Sequence, residues 1–128
     1  MKRTILILSI ACLFFGLSSC KSEYGWAGTY SGIVPCADCA GIETSIILNT
    51  DNTYQLILKY QDRGEDQFQE SGTFKWNENK SLITLENLDE LQYPTMYKLG
   101  KGSLTQLDLN GKEVIGDLAQ NYVLTKVQ

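Results

Sequence analysis

The chain has 128 residues with 11 Lys plus Arg against 15 Asp plus Glu, 4 Cys and no His, a formal charge of −4. That is at most one domain, and the acidic balance argues against a nucleic-acid partner, because phosphate backbones are bound by clustered Lys and Arg. Without His, neither a Ser-His-Asp or Cys-His catalytic device nor a His-ligated zinc or copper site is available. An enzyme would have to work through Asp, Glu, Lys, Tyr or Cys alone, and no pair of carboxylates among Asp38, Glu43 and Asp51 has a spacing that demands acid-base chemistry. The reading is therefore of a non-enzymatic protein.

Residues 1–20 read MKRTILILSIACLFFGLSSC. Lys2 and Arg3 form a positive start, and Ile5 to Leu17 an apolar run too short for a comfortable membrane span. The ending Leu17-Ser18-Ser19-Cys20 resembles a bacterial lipobox, which predicts a leader over 1–19, lipidation of Cys20 and a tether over 20–24. Acyl chains on Cys20 would make the membrane the first partner, since each buried methylene contributes about 0.8 kcal/mol. Lys21 after the cysteine, where Asp would favour retention in the inner membrane of enterobacteria, points to the outer membrane facing the periplasm. Loss of 1–19 leaves 109 residues, a formal charge of −6, and Cys36 and Cys39 as the remaining sulfhydryl chemistry in a compartment where disulfides form.

The body, 25–128, changes to period two. Tyr54, Leu56, Leu58 and Tyr60 share one face, with Gln55, Ile57 and Lys59 on the other. Similar runs predict strands over 28–34, 42–49, 53–61, 67–76, 81–87, 95–100, 103–109 and 120–127. Turn signals separate them at Thr50–Thr53, Asp62–Gly64, Asn77–Asn79, Gly100–Gly102 and Asn110-Gly111. Leu88–Leu91 is expected to form one helical turn. The fold expected is all-β: a small antiparallel meander of about eight strands, closed into a lipocalin-like barrel with no exposed edges. Trp26, Tyr30, Phe74, Trp76, Tyr97 and Tyr122 are placed to fill its interior or line a ligand site there.

The concentrated signal is Pro35-Cys36-Ala37-Asp38-Cys39-Ala40-Gly41, between two predicted strands. Three chemistries fit this spacing. A local disulfide closes a tiny loop and stabilises little. A soft-metal pair would select Cu(I). A redox-catalytic pair needs a helix N-terminus or a nearby cation. Here the neighbours are Asp38 and Glu43, and no Lys or Arg stands between Lys21 and Lys59, so catalysis is disfavoured.

The stretch Gly32–Ser45 around Pro35-Cys36-Ala37-Asp38-Cys39-Ala40-Gly41-Ile42 resembles the signature of the NlpE N-terminal domain family, envelope lipoproteins named for copper resistance and surface sensing. The resemblance continues through Leu48–Tyr54, Tyr60, Glu70–Phe74, Leu107–Lys112 and Asn121–Leu124, with Asn52 where a Gly is usual. It implies a lipid-tethered lipocalin-like barrel linked to copper and to envelope-stress signalling. It makes Cys36 and Cys39 the metal or disulfide pair, copper(I) the candidate cofactor, Pro35, Asp38 and Gly41 the supporting residues, and an envelope stress-signalling protein a partner. Longer members carry a second, OB-like domain. The other reading kept is a barrel that holds a small ligand or lipid.

The anchor is directly testable. Metabolic labelling with a radioactive fatty acid is expected to mark the wild type and leave Cys20→Ala unlabelled; equal labelling of both would refute lipidation at Cys20.

Overall fold

The computed structural model describes residues 25–62 and 64–127, so the leader, the tether and Cys20 lie outside the described residues. The chain forms eight antiparallel strands in sequence order, closed into a barrel by pairing of the first with the last. They are β1 (Gly28–Val34), β2 (Ile42–Leu48), β3 (Thr53–Tyr60), β4 (Gln67–Trp76), β5 (Leu82–Leu85), β6 (Met96–Gly100), β7 (Ser103–Gln106) and β8 (Val123–Val127). A 3-10 turn, Ala119–Tyr122, precedes β8. The expected all-β meander barrel is the observed fold.

Alternation sets the register. On β3, Tyr54, Leu56 and Leu58 point inward, and they stand opposite Leu48, Ile46 and Thr44 of β2. Tyr30 of β1 pairs with Ile46, which carries the same inward row across a third strand. The β2–β3 turn shows why the chain bends where it does. Asn52 N donates to Asn49 O at 3.0 Å, and Asp51 Oδ1 accepts from the Thr53 hydroxyl at 2.6 Å. Asn52 has φ 65°, in the left-handed region that favours Gly and next Asn. Asn52 tolerates this backbone and keeps the turn, and its Oδ1 accepts from Trp76 Nε1 at 3.3 Å.

Several boundaries differ from expectation. Strand β5 ends at Leu85, and Asn87 has φ 65°, which turns the chain out of the sheet. The turn expected over Leu88–Leu91 forms one step later, with Gln92 N and Tyr93 N both donating to Asp89 O at 2.9 Å. Strand β7 stops at Gln106 because Asp108 Oδ1 accepts from the backbone of Asn110 and Lys112, each at 2.9 Å, and closes a turn. The segment expected to open β8 is the 3-10 turn.

The meander sorts its connections between two ends. The tight turns at 49–52, 77–81 and 101–102 gather at one end, together with Gly25–Ala27 and the finish of β8. Lys126 Nζ donates to Gly25 O there, fixing where the chain enters the barrel. The longer loops 35–41, 61–66, 86–95 and 107–122 gather at the opposite end. The chain thus enters at the tight-turn end, remote from the Cys36–Cys39 loop.

Inside, Tyr30, Ile46, Leu56, Ile83, Tyr97, Leu104 and Leu124 are 0–1% exposed. Trp26, Trp76 and Tyr122 pack half-buried against this core, with Trp26 edge-on to Phe74 and Trp76 at ring distances of 5.8 and 5.2 Å. The aromatic residues are filler for a narrow interior. Tyrosine demands a partner for its hydroxyl when buried. Tyr30 donates to Trp26 O at 2.7 Å and Tyr54 to Glu86 O at 2.6 Å. The Tyr97 hydroxyl, wholly buried, has no partner among the described residues.

Burial first, then Glu70 and Glu86, pushes the Tyr54 hydroxyl up to about 12 from its usual 10.0. Burial also drives Tyr97 upward. Unfolded tyrosines release protons at lower pH than these buried ones, so the fold loses stability as pH rises past about 10. The hydroxyls also separate by mutation. Tyr97→Phe removes an unsatisfied group and is expected to raise stability by about 1 kcal/mol, whereas Tyr54→Phe is expected to lower it by about 1 kcal/mol. Thermal unfolding reads both shifts, and a Tyr97→Phe loss equal to that of Tyr54→Phe would contradict the assignment.

Candidate functional site

The loop 35–41 leaves the barrel where Pro35 follows β1, since proline has no N–H to continue the ladder. Cys36 and Cys39 are half-buried, and Ala37 and Asp38 between them are exposed. The two sulfurs lie 2.21 Å apart with Cα atoms at 5.3 Å, a disulfide across a four-residue turn. Asp38 Oδ1 is 3.5 Å from Cys36 Sγ, and Gly41 O is 3.4 Å from Cys39 Sγ. All three expected supporting residues stand at this loop. Pro35 ends the strand, Asp38 faces the sulfur, and Gly41 returns the chain to β2.

Gly41 is required for space rather than for a special φ. A Cβ there would fall 2.7 Å from Ile33 Cγ2 and 3.1 Å from Gln61 Oε1. Its carbonyl accepts from Gln61 N at 2.9 Å, which ties the loop's exit to the end of β3. The sulfur pair is therefore held on a braced loop outside the packed core.

The Cys36 and Cys39 sulfurs and an Asp38 oxygen fall within 4.8 Å of one another. That donor set fits a soft cation once the disulfide is reduced: two sulfurs select Cu(I), and the carboxylate adds negative charge. The bonded pair has no thiolates to offer, so the oxidised and metal-holding states exclude each other. The same carboxylate opposes negative charge on Cys36 and gives no support to a nucleophilic thiolate of the thioredoxin kind.

The surroundings of the pair were outside sequence reasoning. A groove of about 360 Å³ beside Cys36 is walled by Ile33, Pro35, Ala40, Leu118 and Asn121. Ile33 is 55% and Leu118 54% exposed. Leu118 and Asn121 come from the far end of the chain, and nothing local in their sequence points to the cysteines.

With this geometry in view, the comparisons decide the lineage. The family described as NlpE N-terminal domain matches residues 30–117. The chain belongs to the NlpE N-terminal domain family. It is 31% identical over 102 residues to lipoprotein NlpE of Escherichia coli K12, an alignment that covers 78% of this chain and 41% of that protein. The chain thus spans less than half the length of that curated NlpE relative. Solved structures similar to the chain include the following two. A chain from Shewanella oneidensis described as a lipoprotein is 38% identical with a TM-score of 0.70, over 79% of this chain and 88% of that one. Escherichia coli NlpE, described as the Cpx pathway activator, is 29% identical with a TM-score of 0.56, over 79% of this chain and 51% of that one.

Proposed function

We propose that this NlpE-type barrel is a non-enzymatic lipoprotein of the outer membrane, facing the periplasm, linked to copper homeostasis and envelope-stress sensing. Its working part is the Cys36–Cys39 loop. The observation that carries this reading is the sulfur pair at bonding distance, half-exposed on a loop braced outside a filled core. A disulfide that closes so short a loop contributes only about 2 kcal/mol, little reason by itself to build the loop. Reduction by a partner dithiol converts the Cys36–Cys39 disulfide into two thiols and leaves the partner with a disulfide; two electrons and two protons pass to the cysteines. Reduced, Cys36 and Cys39 would hold Cu(I), with Asp38 beside them.

Topology supports a signalling role for that loop. Acyl chains on Cys20 would hold the protein from the tight-turn end, so the loop end is presented away from the bilayer. The exposed Ile33 and Leu118 beside Cys36 offer apolar area to an envelope stress-signalling partner, and E. coli NlpE is described as the Cpx pathway activator. The ligand-holding reading draws less support, since Tyr30, Tyr54 and Tyr97 occupy the barrel interior.

Thiol trapping in cells with and without copper tests the proposal. The expected result is a pair whose fraction oxidised changes with copper, a change lost in Cys36→Ser and Cys39→Ser. A pair fully oxidised under both conditions would make the bond a structural staple and overturn the reading.

A further inference from the structure

A second feature of the loop end has no cysteine in its lining. Tyr60, Phe68 and Tyr93 wall an open cleft of about 300 Å³, completed by Asp66 and Gln92. Tyr60 and Phe68 meet edge to face at 5.7 Å, which leaves ring surface turned to the cleft, and Phe68 is 48% exposed. Burial first, then Glu70, Tyr60 and Asp89 in its surroundings, hold the Tyr93 hydroxyl above its usual range. In sequence, the segments 59–70 and 89–94 around the cleft carry six carboxylates (Asp62, Glu65, Asp66, Glu70, Asp89 and Glu90) against Lys59 and Arg63, and Lys59 Nζ lies 3.8 Å from Glu65 Oε2. Aromatic faces and carboxylates around one opening favour a cation twice over. The ring quadrupoles attract it, and the acids neutralise it.

The neighbouring backbone indicates how such a cation would arrive. Strand β4 pairs with β3 from Gln67 to Thr73, but with β5 only at Phe74–Trp76. Glu86 N donates to Thr73 O and Glu86 O lies against Gly72, so the edge left without a partner strand is the Gln67–Ser71 stretch, along which Gln67, Phe68, Gln69 and Ser71 are exposed. An extended segment laid on such an edge gains main-chain hydrogen bonds and places alternate side chains into adjacent pockets. Phe68, on that edge, is a wall of the cleft.

We propose that this cleft receives the lysine or arginine side chain of a partner polypeptide lying in extended form along the first half of β4. The aromatic rings take the aliphatic stem, and Asp66 faces the charged tip, while Glu70 is held by a side-chain hydrogen bond to Tyr93. The cleft shares no lining residue with the groove beside Cys36, so the two sites can be tested separately.

The test uses the full lipidated chain in detergent micelles and an acetylated, amidated Thr-Val-Lys-Val-Thr peptide, followed by calorimetry. The expected result is binding that weakens with salt. It should weaken about tenfold when norleucine replaces lysine in the peptide, and several-fold in Asp66→Asn and in Tyr93→Leu. Asp66 is exposed, so Asp66→Asn should melt with the parent, which separates lost binding from lost fold. Cys36→Ser should bind the peptide unchanged, so this proposal and the copper reading fail separately. Equal binding of the norleucine peptide would make the cleft merely apolar. Spermidine binding as tightly as the peptide would make it a small-amine site. Self-association abolished by Phe68→Lys would make a second copy of the chain the occupant. Each of these results, or no binding at millimolar peptide, overturns the proposal.

Discussion

Closure of a narrow barrel is the constraint on which the rest depends. Eight short strands, several of four or five residues, cannot each bury a face independently. Paired in a ring, they share one interior, and that interior must be filled with the largest side chains the diameter admits. Tyr30, Tyr54 and Tyr97 do this, and they bring hydroxyls into a region where each needs a partner. Two are satisfied by carbonyls, Trp26 O and Glu86 O, at places where a flanking segment crosses the barrel. The packing of the core and the path of the chain at Trp26 and Glu86 are thus fixed by the same residues.

A filled interior moves chemistry to the ends. The tight turns are occupied with their own hydrogen bonds, as the Asp51–Thr53 contact and the Asn77 contacts to Ser81 and Leu82 illustrate. The opposite end has the longer loops, the sulfur pair, the groove beside Leu118 and the acidic aromatic cleft. The proposed anchor at Cys20 would hold the protein from the tight-turn side and turn this surface toward other molecules of the envelope. The barrel acts as a spacer and a frame for it.

Much of the fold was legible because period two survives in each long strand. It is clearest in 53–60, where the inward face was readable from Tyr54, Leu56 and Leu58, and the strands 28–34, 42–48 and 67–76 were placed by similar runs between turn signals. The short strands were overextended because their last residues leave the sheet for turns. Asn87 adopts a left-handed backbone, and Asp108 captures two amides; both look like ordinary polar loop residues in the sequence. At the site, Cys36, Asp38, Cys39 and Gly41 were readable because they are adjacent in the chain. The groove and the cleft were not, since they join residues such as Ile33 with Leu118, and Tyr60 with Tyr93, that only barrel closure brings together.

The central claim is that scaffold and working loop are separable: a core that folds without the disulfide, and a sulfur pair that carries the response. The most direct measurement is the double variant Cys36→Ser/Cys39→Ser in the full lipidated chain, read by thermal unfolding and by an envelope-stress reporter in copper-challenged cells. The account predicts a folded barrel within about 2 kcal/mol of the parent and loss of the copper response. An unfolded variant, or a folded one with the response intact, would contradict it.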